Sequence, residues 1–136
     1  MIVTYKNILV IQSLQEAVAK LQLSAEDYAC VAKLNKAVKK LAPHSENFQE
    51  AVEDLRLDNC YKEGNKIVRE NGQLQWTAEG EKAFRKAYKE LLAQEVEVDV
   101  QPMSYPALLE VFPKQAQATN KWEDVEESLS PFFENK

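Results

Sequence analysis

The chain has 136 residues, 45% of them hydrophobic and 29% charged, with a net charge of -5. That is one domain's worth of chain with enough apolar material for a packed core, which excludes wholesale disorder. No apolar run approaches the ~20 residues that cross a bilayer. The first residues, Met1-Ile2-Val3-Thr4-Tyr5-Lys6, lack the basic and apolar stretches of a secretory signal, so a cytoplasmic setting without a membrane partner is expected.

The charge is unevenly spread. Six lysines face only Glu16, Glu26 and Asp27 before residue 46, whereas Glu46, Glu50, Glu53, Asp54, Asp58 and Glu63 face only Arg56 and Lys62. A nucleic-acid binder needs a basic stripe to displace condensed counterions. The one candidate stripe is Lys33, Lys36 and Lys40, at helical spacing. Three lysines on an acidic chain read as a solvated helix face, which argues against a nucleic-acid partner.

In chain order, Ile8, Ile11, Leu14, Val18 and Leu21 form one stripe of an amphipathic helix that starts near Thr4 or Tyr5. Residues 1–3 are too short to classify and could join a sheet later. Ser24-Ala25-Glu26-Asp27 restarts a helix, with Ser24 as cap and the acids at the positive end of the dipole. Tyr28, Val31, Leu34, Val38 and Leu41 repeat the first stripe step for step. Two helices packed as a hairpin produce this pattern, as would an internal duplication. Pro43 is expected to end the second helix, and Ser45 to cap a third that carries Phe48, Val52 and Leu55.

The pattern then changes. Lys66 to Trp76, interrupted by Asn71-Gly72, reads as a β-hairpin, because both turn residues tolerate positive φ. Thr77 caps the next helix, with Phe84, Tyr88, Leu91 and Leu92 on its buried face. Val96, Val98 and Val100 alternate with Glu95, Glu97 and Asp99, which predicts a half-buried strand pairing with the hairpin. A short helix around Leu108, Leu109 and Phe112 precedes a Gln/Ala linker, and Asn120-Lys121-Trp122-Glu123 opens an acidic helix that Ser130-Pro131 breaks.

The expected fold class is therefore α+β and mainly α. It has an N-terminal helical hairpin and a third helix, a small antiparallel sheet (hairpin 66–76 with strand 95–100) covered by helix 78–94, and a helical C-terminal tail. The expected organisation is one domain over residues 1–113 and an acidic, aromatic-containing tail over 114–136.

Chemistry-bearing groups are sparse. His44 is the only histidine, and Pro43 and Ser45 place it in an exposed helix connection. Cys30 and Cys60 lack metal-ligand spacing, and a small core residue is the reading for Cys30. Gly64, Gly72 and Gly80 form no phosphate-cradling loop. Glu95, Glu97 and Asp99 share a strand face and could hold a hard cation, as in a carboxylate-dependent metal enzyme, but such rows read first as the wet side of a strand. No nucleophile stands with a base. No catalytic residue, cofactor or metal ligand is therefore assigned, and no enzyme is expected. The candidate partner-binding residues are Trp122, Val125, Leu129, Phe132 and Phe133, large apolar groups among Glu123, Asp124, Glu126, Glu127 and Glu134. An acidic amphipathic segment of this type can dock in a protein groove or mediate self-association, or fold back on its own core.

Two resemblances accompany this reading. Residues 64–80, from Gly64-Asn65-Lys66-Ile67-Val68-Arg69 through Glu70-Asn71-Gly72 to Thr77 and Gly80, resemble the wing and helix start of winged helix-turn-helix regulators, which carry Thr-x-x-Gly after the second wing strand. Residues 46–62, in the place of the reading helix, are acidic where DNA contacts need Lys and Arg. Residues 1–103 are similar to a family of small bacteriophage and prophage proteins of unknown function. The likeness rests on the element order and on Tyr88-Lys89-Glu90-Leu91-Leu92 followed by Glu95-Val96-Glu97-Val98-Asp99-Val100. That resemblance implies a phage-type origin, a host-cell cytoplasmic setting and no catalytic residues.

Overall fold

A computed structural model describes residues 1–19, 25–104 and 127–133, with the side chains of 25–30 left out. The chain is α+β and mainly helical. It divides into two compact units, one built from Met1–Ser45 with Glu95–Lys136 and the other from Glu46–Gln94. The expected cap at Ser24, the core position of Cys30, the helix around Leu108, the 113/114 boundary and the helix start at Asn120 lie outside what is described.

The first unit opens with strand β1 (Ile2–Thr4), which pairs antiparallel with β6 (Glu95–Glu97), Val3 standing opposite Val96. The Val98 amide also donates to the Met1 carbonyl at 2.9 Å, which prolongs the ladder. Residues 1–3, too short to classify from the sequence, thus supply the partner of strand 95–100. The expected pairing of that strand with hairpin 66–76 does not occur. The physical reason is that the hairpin meets its own needs locally, whereas Val96 finds an apolar partner in Val3, 2% exposed and directly opposite.

Thr4 ends β1 and caps helix α1 (Tyr5–Val18). Its hydroxyl accepts from the Asn7 amide at 3.2 Å, and the Asn7 side-chain oxygen accepts from the Thr4 amide at 2.8 Å. This is a reciprocal capping box. The Asn7 Nδ2 group then donates to the Ser128 carbonyl at 2.8 Å, 121 residues away in sequence. Tyr5, Ile8, Ile11, Leu14 and Val18 are all buried, so the stripe read from the sequence is the core face.

Helix α2 (Ala25–Asn59) runs through both units. Val31, Leu34, Ala37 and Leu41 are buried in its first part, with Ala37 deeper than the expected Val38. The break expected at Pro43 does not occur: Pro43 lies inside the helix, and the separate third helix is its continuation. Proline removes one helix hydrogen bond and crowds the preceding turn, at a cost of about 3 kcal/mol. The apolar period continues across it, however, with Leu41 at 0% and Phe48 at 2% exposure on either side. Burial of large side chains at 1.5–3 kcal/mol each is roughly enough to outweigh the break. His44 accordingly sits in the helix, half-buried, rather than in an exposed connection.

The second unit continues from α2 into two short hairpins. Strands β2 (Lys62–Glu63) and β3 (Lys66–Ile67) pair, as do β4 (Arg69–Glu70) and β5 (Gln73–Leu74). Residues 66–67 therefore pair backward instead of extending the 69–74 hairpin. The Tyr61 amide donates to the Gln75 carbonyl at 2.7 Å, joining the start of one hairpin to the end of the other. Asn71 (φ 53°) and Gly72 (φ 78°) form the turn that the Asn-Gly pair predicts. Helix α3 (Ala78–Leu92) starts at Thr77, whose hydroxyl accepts from the Gly80 amide at 3.0 Å. Gly80 has a steric role too: a β-carbon there would lie 2.3 Å from the Asn59 carbonyl oxygen at the end of α2.

Among the described residues, no helix is long and apolar enough to cross a membrane. Two outcomes follow from the backbone. Pro43→Ala restores a donor inside α2 and should stabilise the protein by on the order of 1–2 kcal/mol in denaturant titration. Gly80→Ala should destabilise it by roughly 1–3 kcal/mol in the same assay, because the obstacle is backbone.

Candidate docking cleft

The second unit contains a cleft of about 580 Å³. Its walls come from three elements. The last turns of α2 bring Glu53 and Arg56, the β4–β5 hairpin brings Arg69, Gly72, Gln73 and Leu74, and the start of α3 brings Glu81, Phe84 and Arg85, with Trp76 between. The three arginines are all the arginines of the chain.

Two of the three guanidinia are lightly held. Arg56 stands 3.9 Å from Glu53, an ion pair without a hydrogen bond. Arg69 donates one long bond, 3.4 Å, to the Gly72 carbonyl. Arg85 is the third: its Nη2 donates to the Glu81 carboxylate one helical turn away, a charge-assisted hydrogen bond, yet its side chain remains 75% exposed. A guanidinium offers five donors in a planar fork, so most of this capacity faces solvent. Exposed ion pairs of this kind contribute ~0–1 kcal/mol, and an incoming carboxylate exchanges them at little cost.

The apolar part of the cleft is the end of an aromatic row. The rings of Trp76 and Phe84 lie 5.3 Å apart, those of Phe84 and Tyr88 5.9 Å, and those of Tyr88 and Phe48 5.9 Å. The row runs from buried Phe48 to exposed Trp76. Tyr61 and Ile67 of the same unit are also exposed. Helix α3 sorts Phe84, Tyr88, Leu91 and Leu92 onto one side, yet none of its residues is fully buried.

The residues singled out from the sequence stand elsewhere. Leu129 (2% exposed), Phe132 (0%) and Phe133 (8%) are interior to the first unit. The Met103 amide donates to the Phe132 carbonyl at 2.8 Å, and Phe133 bridges Met103. Trp122 and Val125 lie outside the described residues. Glu95 and Glu97 are exposed on β6, and no cluster of potential metal ligands forms among the described residues. Cys60 is buried, its thiol donating to the Leu57 carbonyl. Lys33, Lys36 and Lys40 line a smaller groove of about 340 Å³ with residues 100–104.

Sequence reasoning missed the cleft because its parts carry no spacing signal. The available hint is that every arginine falls between residues 56 and 85, beside the hairpin. Comparison of the chain with protein-family models, with curated proteins and with solved structures finds no match.

Proposed function

We propose that this is a non-enzymatic accessory protein, of the phage or prophage type, that acts in the host cytoplasm through protein–protein contacts, self-association among them. The observation that carries this reading is the aromatic face of the second unit: α3 is amphipathic but buries none of its residues fully, Trp76 is exposed against its Phe84, and Tyr61 and Ile67 of the same unit are exposed too. A monomer gains nothing from leaving such groups in water, at about 25 cal/mol per Å² of apolar surface. Trp, Tyr and Arg are also the residue types that dominate interface energetics, with polar groups around them.

A photo-crosslinking residue at position 76, in cells that naturally make the protein, should give discrete adducts. A probe at exposed Lys39 serves as the control. Adducts of twice the chain mass identify self-association, and heavier or lighter ones a different partner. A position-76 lane no different from the Lys39 lane would refute the reading.

A winged-helix-type regulator is the second reading, favoured by the hairpin that carries Arg69 and by the Thr77–Gly80 helix start. It predicts a DNA mobility shift that weakens steeply with salt. Absence of a shift at low salt discards it.

A further inference from the structure

We propose that the cleft of the second unit binds an acidic peptide segment of a partner protein, with one aromatic side chain of that segment seated against Trp76. This rests on the docking reading above and names the chemistry of the partner.

The argument begins with charge. The second unit carries more acids than bases overall, yet its three arginines face one cleft. Lysine, far commoner in the chain, is absent from the lining. Arginine differs from lysine in offering a planar fork that matches a carboxylate with two parallel bonds. Arg69 has a single long bond to a carbonyl and no carboxylate partner among its described contacts. The pairs at Arg56 and Arg85 are exposed and exchangeable. The cleft thus presents donors that are positioned but only partly used.

Glu53 and Glu81 in the same lining decide between anions. Together they leave the cleft with one net positive charge. A nucleic-acid backbone needs several uncompensated cations to release its counterions, and this cleft does not provide them. A peptide carboxylate needs one fork at a time, and its backbone amides can donate to the displaced Glu53 and Glu81. Mixed signs around an apolar centre are the composition of a protein interface.

The aromatic floor sets the second requirement. Trp76 packs at a tilt against Phe84, is partly exposed and lines the cleft. A ring entering there continues the row of Phe48, Tyr88, Phe84 and Trp76. Aromatic pairs at such distances prefer tilted or offset contact, which orients the incoming ring and so fixes the register of the peptide. Specificity on this account is joint: carboxylates select the segment, and the ring sets its position.

The test is a fluorescence-anisotropy titration of the full-length protein with a fluorescein-labelled peptide, EEWEEL, against its neutral counterpart QQWQQL, in about 0.1 M salt. EEWEEL should bind saturably and about tenfold more tightly than QQWQQL. Arg69→Ala and Trp76→Ala should each weaken it by about tenfold or more, with the thermal midpoint checked for each variant. Arg69→Lys keeps the charge but loses the fork, and should recover only part of the affinity. Equal binding of the two peptides, or full binding by Arg69→Ala of unchanged thermal midpoint, overturns carboxylate recognition. So does the lack of saturable EEWEEL binding. In each of these cases a position-76 crosslink leaves the docking reading standing, whereas loss of that crosslink removes the docking reading itself.

Discussion

The pairing of Val3 with Val96 is the constraint on which the first unit depends. It is a short ladder, three residues on each side, but it sets the position of Thr4. Thr4 is at once the last residue of β1 and the cap of α1. Asn7, the other half of that cap, passes the connection on to Ser128. One chain of hydrogen bonds thus links strand, helix and C-terminal segment. The buried stripe of α1 then has a fixed direction in which to face.

The two units treat large apolar side chains in opposite ways. In the first, Phe132 and Leu129 are interior although acidic residues surround them in the sequence. The Met103–Phe132 and Asn7–Ser128 bonds hold their backbone against the unit, so the polar groups of that segment are satisfied there. In the second, Trp76 and the apolar side of α3 stay partly in water. Apolar surface left exposed in this way is surface that association can cover.

Much of the local structure was legible in the sequence, and the reasons differ by element. The α1 stripe, the Asn71-Gly72 turn and the Thr77 cap depend on neighbouring residues only, and those signals are short-range. The strand at Glu95 was visible by alternation, but its partner was not, since alternation carries no information about which distant strand stands opposite. Pro43 misled because its cost is local while the burial of Leu41 and Phe48 that outweighs it is tertiary. The docking residues proposed from the sequence, Leu129, Phe132 and Phe133, had the composition of either a free tail or a core, and composition alone does not separate the two. The arginine cleft was invisible for the opposite reason: Arg56, Arg69 and Arg85 sit on three different elements, and only the fold makes them neighbours.

The discontinuous make-up of the first unit also orders events in time. Residues 46–94 form one unbroken stretch, so the second unit holds all of its own contacts as soon as that stretch leaves the ribosome. The first unit must wait, because its strand partner begins at Glu95 and the acceptor of the Asn7 side-chain Nδ2 group is the Ser128 carbonyl. Closing so long a loop is entropically slow, and topologies rich in distant contacts fold late. A nascent chain therefore holds every residue of the arginine cleft before the strand partner of β1 has been made. Every residue of the aromatic row has likewise been made before Glu95 is added.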